Sequence, residues 1–375
     1  MHARYTGLVI LTLLVALIAG CGPAVRTPQA TSTAVPPPTA SATAAPPTTA
    51  PTLTPTTAPS PTAAVQLLRE WVNLGADQGP VYDQGWSSDG RLFAAADYNQ
   101  IRVWEIAARR ETGLLKGHTD FVTGVAWSPN ASVLASAGQD GTVRLWDGTA
   151  LTQTAVLKIG PALGCLTWSP DGRQLAVGSS AGDVYLWDVA TQEMIKTWST
   201  RTANNDRDDI ISIAWSPDSR TIACGDLEGN IYLWDVATGQ ARIVFTEQNP
   251  SERGRDVNGL SWSPDGSMLA SAHPDGQIQL WDSATGQMLR AIAAHTAPAS
   301  DVAWSPSGEF LASIGHMDRH VRLWDPETGR LYAEAHHDSL SGWSISWSPD
   351  GSKVASGCGK WQQPHVGEII VWTVP

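Results

Sequence analysis

Cysteine is scarce in this chain: its 375 residues include four, Cys21, Cys165, Cys224 and Cys358. The last three stand far apart, and an odd, scattered set builds no disulfide framework even in an oxidising compartment. They read as small buried or half-buried residues, with room for at most one chance pair. Apolar runs are short. Residues 7–19 form a largely apolar stretch of thirteen, whereas crossing a bilayer takes about 20. Positive charge is also short. Residues 1–64 hold only Arg4 and Arg26, and the remainder carries 22 Lys/Arg against 36 Asp/Glu, a net of −14. That balance argues against nucleic acid or an anionic membrane surface as the main partner, and is otherwise an ordinary solubility feature. Catalytic signatures are missing as well: there is no Gly-x-Ser-x-Gly elbow, no Gly-rich phosphate loop and no His-Glu-x-x-His. A site assembled from several segments would leave no such local mark.

What is present begins with an export pattern. Arg4 precedes the apolar stretch, which ends at Ile18-Ala19-Gly20-Cys21. A cysteine straight after two small residues resembles the lipobox of bacterial lipoproteins, and the resemblance implies that Cys21 becomes the acylated first residue of the mature chain. An ordinary signal peptide or an uncleaved anchor are the competing readings. Residues 22–64 are rich in Pro, Thr, Ala and Ser, with Arg26 the single charge. Such a segment buries too little to offset its ordering entropy and is expected to stay extended and solvated. At about 3.1 Å per residue in polyproline II it would reach on the order of 130 Å. It reads as a stalk or a passive tether.

Tryptophan dominates the rest. Seven Trp-Ser-Pro-Asp-Gly-like turns open at Trp86, Trp127, Trp168, Trp215, Trp262, Trp304 and Trp347. Each is followed by a Leu-Trp-Asp-like strand, at Trp104, Trp146, Trp187, Trp234, Trp281, Trp324 and Trp372. Fourteen of 18 tryptophans therefore serve one position pair, repeating every 41 to 48 residues. A period of that size marks units that are single small sheets, unable to bury their faces alone. In the second unit, residues 122–127, 133–137 and 142–146 read as three strands separated by a proline-led type I turn and a Gln-Asp-Gly turn. A fourth, outer strand follows near residues 154–157.

These units resemble the WD-repeat family across residues 65–375. The resemblance implies an all-β, seven-bladed β-propeller whose blades are tied by a buried tetrad. Carried over, the tetrad is His118, Ser136, Asp140 and Trp146 in the second blade, and His295, Ser313, Asp318 and Trp324 in the sixth. The fifth keeps Ser271, Asp275 and Trp281 with no histidine at that spacing. The third has Val177 and Ala181, the fourth Cys224 and Glu228, the first Ala94 and Tyr98. Those three, and the seventh with them, are expected to rely on packing instead of a polar network. The seventh keeps Ser356, with a turn stretched over residues 359–367. The seventh blade also lacks an outer strand of its own after Trp372, and residues 65–71 are expected to supply it and close the ring.

In such a ring the Ser-Pro-Asp-Gly and Asp-x-Ala-Thr-Gly turns open on one, monotonous face. Asp171, Asp218, Asp265 and Asp350 are turn residues there and not general acids. The substantial insertions, residues 201–209, 247–256 and 359–367, fall on the other face, where loops on a rigid scaffold commonly carry recognition. Candidate partner-binding residues are Arg201, Asn204, Asp206, Arg207, Arg253, Arg255, Lys360 and Trp361; neutral surface decoration is the alternative. Trp361 is either a binding hot spot or a cover for the channel mouth. Trp198 and Trp343 read as packing residues. His316, His320 and His365, with His336 and His337, could supply Zn²⁺ or Cu²⁺ ligands on that face, although one of His336 and His337 could be the seventh blade's structural histidine. The sequence thus points to a lipid-anchored, extracytoplasmic, non-enzymatic platform for a protein or peptide, needing no cofactor. An extracytoplasmic small-molecule or metal-binding protein using the channel mouth is the alternative, and an enzyme comes third.

Overall fold

The computed structural model describes residues 66–74, 80–200, 209–246, 256–337, 341–360 and 366–375. Within the compact unit Val65–Pro375 the described residues form seven sheets, antiparallel but for one short added strand, and no helix. Blade 2 shows the pattern, with strands Val122–Trp127, Val133–Gly138, Thr142–Asp147 and Gln153–Lys158 running from the axis outward. The seven inner strands touch one another in sequence, and the last touches the first. This closed ring is a seven-bladed β-propeller, which leaves its sheets no long free edge.

The core lies between blades. Second strands such as Val133–Gly138 are buried along nearly their whole length because a neighbouring sheet covers each face. Between blades 1 and 2, for example, Ile101, Val103 and Leu115 pack against Val122, Trp127 and Leu134. Each such aliphatic side chain contributes about 1.5–3 kcal/mol.

Closure differs in detail from the single outer strand expected at residues 65–71. Gln66–Leu67 runs parallel to Leu331–His336 of blade 6, while Arg69–Asn73 pairs antiparallel with Val366–Thr373 as the outer strand of blade 7. Leu68 makes the switch: it is buried among Ala333, Ala335 and Trp372, between the two blades. The described ends of the stretched turn of blade 7 are strand. Lys353–Lys360 and Val366–Thr373 stay paired out to Lys360 and Val366, so the insertion lengthens a hairpin.

The two complete tetrads form. Trp146 Nε1 donates to Ser136 Oγ at 2.9 Å, His118 Nε2 lies 2.8 Å from that oxygen, and His118 Nδ1 lies 3.0 Å from Asp140 Oδ2. Indole N–H can only donate and carboxylate can only accept, which leaves one consistent assignment. Ser136 donates to Nε2, and Nδ1–H donates to Asp140. Blade 6 repeats this with Trp324, Ser313, His295 and Asp318 at 2.8, 2.9 and 2.9 Å. Burial lowers the pKa of both histidines against the opposing pull of their aspartates, so both are neutral.

Blades 7, 4 and 1 correct the expectation that packing replaces the polar network, and blade 5 supplies a histidine outside the expected spacing. In blade 7 His337 Nε2 is 3.0 Å from Ser356 Oγ, Trp372 Nε1 donates to the same oxygen at 2.7 Å, and Cys358 Sγ lies 3.2 Å from His337 Nδ1. In blade 5 the histidine comes from the far end of the second strand: His273 Nε2 is 2.7 Å from Ser271 Oγ. In blade 4 the Trp234 indole donates to Cys224 Sγ at 3.3 Å, and Tyr232 Oη reaches Asp226. In blade 1 Arg102 pairs with the buried Asp97 at 2.6 Å. Blades 3, 4 and 5 add a clamp on the rim. Lys196, Arg242 and Arg290, at one cross-strand position, each donate to two carbonyls in the Asp-led turn of the next blade.

Candidate partner-binding site at the channel mouth

The channel side of each inner strand carries backbone groups that its own blade leaves unpaired, and such groups need partners. Side chains reach across every one of the seven interfaces to supply them. Asp83 Oδ2 accepts from Val125 N (2.8 Å) and Asp301 Oδ2 from Ile345 N (2.9 Å). Thr123, Ser212, Asn258 and Ser344 donate to carbonyls of the following blade at 2.6–3.2 Å, and Cys165 Sγ points at Ile210 O at 3.7 Å.

These latches sit at a repeated irregularity. In blades 2, 3, 4, 6 and 7 the ladder between first and second strands skips one residue, four before the first-strand tryptophan. Such a bulge re-aims side chains. The skipped residues are Thr123, Gly164, Ile211, Ser300 and Trp343, all half-buried at the channel mouth. Tyr82 and Asn258 hold the same position in blades 1 and 5. Only blades 7 and 1, which are neighbours in the closed ring, place aromatics there.

Those two aromatics belong to a longer arc. Tyr98, Phe121, Tyr82, Trp343 and His316 follow one another with ring centroids 4.6, 6.4, 5.3 and 4.5 Å apart, every pair edge to face. They come from blades 1, 2, 7 and 6 and lie on the face of the ring that bears the insertions. Tyr98 is 43% exposed, and Met317, beside His316, is 57% exposed. Tyr98 also takes a left-handed backbone, φ +62°, in its tight turn. In the corresponding hairpins of blades 2 to 5 a glycine provides the positive φ: Gly141, Gly182, Gly229 and Gly276. An aromatic there costs on the order of 1 kcal/mol of strain.

Below the arc stand Asp83 and Asp301. Both are half-buried. Burial pushes both pKa values up to about 7, against the two backbone N–H bonds each accepts; for Asp301 the Asp83 charge adds to the push. Among the described residues no lysine, arginine or histidine pairs with either. The channel mouth is therefore an aromatic and acidic sector on one side, facing Gly164, Ile211 and Asn258 on the other.

The opposite face is uniform. In five blades the serine of the Ser-Pro-Asp-Gly-like turn donates to the turn aspartate at 2.6 Å: Asp89, Asp171, Asp218, Asp265 and Asp350. These aspartates close their own turns, as the repeat implied. An open groove between blades 4 and 5 is lined by the same turn residues.

Several sequence candidates fall elsewhere. Cys21, Arg201, Asn204, Asp206, Arg207, Arg253, Arg255, Trp361 and His365 lie outside the described residues, as does the side chain of Lys360. The described histidines do not converge. His316 packs on Trp343 with Nδ1 3.3 Å from Gly342 O, His337 is the structural histidine of blade 7, and His320 faces His336 with centroids 4.9 Å apart. Among the described residues no three His, Cys, Asp or Glu side chains are placed to hold a metal ion. Trp198 packs as expected, stacked on Trp234 at 5.5 Å. Trp343 does more than pack, since it forms the middle of the arc. The Ser136–His118–Asp140 order is that of a hydrolytic triad, but Ser136 is fully buried and its oxygen is engaged by Trp146. The three remaining cysteines are free thiols.

Known proteins match this architecture. The model of the family described as the IFT122 first beta-propeller matches residues 80–362. Protein transport protein SEC13 of Phaeosphaeria nodorum is 44% identical over 59 residues, 14% of this chain and 20% of the relative. The uncharacterized WD repeat-containing protein sll1491 of Synechocystis is 37% identical over 82 residues, 21% of this chain and 24% of the relative. A ribosome biogenesis protein WDR12 homolog of Trichoplax adhaerens is 27% identical over 125 residues, 32% of this chain and 27% of the relative. The matches thus span between a fifth and about a quarter of the relatives' own lengths. With seven Trp-anchored blades and a family match over well over half of its length, the chain belongs to the WD-repeat β-propeller family.

Proposed function

We propose that this protein is a non-catalytic platform that holds a protein or peptide partner at the channel mouth, displayed outside the cytoplasm by a lipid on Cys21 and the tether of residues 22–64. One observation carries the reading. The two faces are built from the same repeat, yet one is uniform and the other gathers five aromatic rings into a single sector, with a strained tyrosine at its end. Rigid, half-exposed aromatics on a scaffold that does not deform are the usual anchors of protein recognition. WD-repeat propellers act as protein-interaction scaffolds, which supports the class of function and leaves the partner open. The lipid anchor rests on the lipobox pattern at Ile18-Ala19-Gly20-Cys21.

The test is affinity capture from cross-linked native membranes. Intact protein is compared with a variant lacking residues 204–208 and 360–365. A discrete partner recovered by the first and lost by the second is expected. Recovery of the same proteins by both, or of none by either, would remove the platform reading on this face. Globomycin-sensitive processing, or incorporation of labelled palmitate lost in Cys21→Ala, tests the anchor.

A further inference from the structure

We propose that the mouth sector formed by blades 6, 7, 1 and 2 receives a positively charged side chain, lysine or arginine, presented by a segment of the partner protein. This rests on the platform reading above and names the chemistry of its partner.

Three features lead to a cation. First, the residues four and three positions before the first-strand tryptophans, which ring the mouth, include two acids, Asp83 and Asp301, and no base in any of the seven blades. Both acids stand under the aromatic arc and not on the far side. Each carboxylate accepts two backbone N–H groups, from Gln84 and Val125 or from Val302 and Ile345. Hydrogen bonds from neutral amides hold the carboxylates in place without neutralising them, and among the described residues neither has a cationic partner. A carboxylate crowded by protein, with its pKa raised and no counter-charge, is in the electrostatic state that an incoming cation relieves.

Second, the rings above them suit the same ligand. Aromatic faces attract ammonium and guanidinium groups through the ring quadrupole, and more strongly where water is thinned. Tyr82 and Trp343 meet edge to face at 5.3 Å, so their planes are steeply inclined, at 71°. The two rings thereby offer differently directed surfaces to a side chain entering from the mouth.

Third, the binding element has to be a side chain. Pairing of a partner strand with the inner strands is disfavoured, because the cross-blade latches already occupy backbone groups at all seven interfaces. The overall −14 charge of residues 65–375 favours a basic partner over an acidic one. Finally, the shorter hairpin of blade 1 keeps a left-handed backbone at Tyr98, whereas in the hairpins of blades 2 to 5 the left-handed residue is a glycine one position further on, and strain of that kind is retained where a side chain is needed.

The experiment uses the full-length protein and fluorescently labelled, terminally blocked Gly-Ser-Arg-Ser-Gly and Gly-Ser-Lys-Ser-Gly, read by anisotropy. Citrulline and acetyl-lysine versions keep the shape and remove the charge. The basic peptides are expected to bind at least tenfold more tightly than their neutral counterparts. Asp83→Asn/Asp301→Asn should weaken them tenfold or more. Tyr98→Gly should melt no lower than the parent while weakening binding several-fold, which separates a binding role from a folding one if the double variant unfolds. Equal binding of charged and neutral peptides, no binding of either, or binding unchanged in Tyr98→Gly would overturn the proposal. Arginine amide alone competing as well as the peptide would overturn the assignment to a partner segment. If captured partners still depend on the mouth loops while the basic peptides fail to bind, the platform stands and the cation receptor falls. Loss of both removes both.

Discussion

Blades 6 and 4 have the same strands, the same turns and the same pair of tryptophans, but they satisfy their buried polar groups differently. Blade 6 runs a charged chain inward: Glu334 and Asp318 on Arg322, His295 on Asp318, Ser313 on His295, and Trp324 on Ser313. Burial works to raise Asp318, but hydrogen bonds from His295 and the His320 amide, with the Arg322 charge, bring it down to about 2. Blade 4 has no such chain. A thiol sulfur accepts the indole N–H, and Tyr232 and Asn230 hold Asp226, whose pKa burial raises. On its rim Arg242 ties blade 4 to blade 5, at the position where blade 6 has Ala333. The fold thus requires that buried donors and acceptors be matched, and it tolerates more than one way of matching them.

The contrast can be broken most directly at the centre of each blade. Ser313→Ala in blade 6 strands two buried groups, His295 Nε2 and Trp324 Nε1, and should cost about 4 kcal/mol, since each orphan costs roughly 1–3. Cys224→Ala in blade 4 strands only the Trp234 indole and should cost about 1–2 kcal/mol. Urea midpoints compare the two; equal losses would mean that the networks are not what distinguishes the blades.

Acid is expected to act on blades 2, 5 and 6, whose buried histidines have lowered pKa values, and to spare blade 4. Burial lowers His273 of blade 5 from 6.5 to about 4. Between those values the unfolded chain binds the proton and the folded chain does not, so stability falls as pH drops from 6.5 to about 4. The loss is about 3 kcal/mol, absent above pH 6.5. His273→Gln should be less stable at pH 7 and lack this slope, read from denaturation midpoints at intervals between pH 7.5 and 4.

Smaller effects lie at the periphery of blade 4. Arg242→Met removes two hydrogen bonds to exposed carbonyls and should cost about 1 kcal/mol, whereas Ala333→Met in blade 6 should be near neutral. In the Ser-Pro-Asp turns, blade 4 places Ser219 at φ +58° where blade 6 has Gly308 at +78°. Ser219→Gly should therefore raise stability by about 0.5–1 kcal/mol, and a fall would show that Ser219 makes a contact worth more than its strain.

Blade number, strand order and both complete tetrads were legible in the sequence, because indole pairs and turn residues recur at constant offsets. His273 was not. It follows its serine by two residues, where the tetrad pattern looks eighteen residues earlier, and only the geometry of the strand end brings it onto Ser271. The rim clamps were hidden for another reason: Lys196, Arg242 and Arg290 acquire meaning only from cross-strand register with the next blade's turn. The site was half legible. The insertions pointed to the face on which the aromatic arc lies, but the arc itself draws on four blades that are far apart in sequence. Aligning the units on their first-strand tryptophans would have exposed part of it, since Tyr82 and Trp343 then fall in one column beside Asp83 and Ser344. Tyr98 and His316 share a second column, twelve residues after those tryptophans, whereas Phe121 has no aromatic counterpart in any other unit.

The two faces of the ring provide the most direct test of the functional account. A photo-crosslinking residue at position 98, in the mouth arc, is compared in intact cells with one at position 265, in the uniform turns. The account predicts a discrete crosslinked partner from position 98 and none from position 265. A partner captured from position 265 alone would contradict it and move the binding surface to the opposite face.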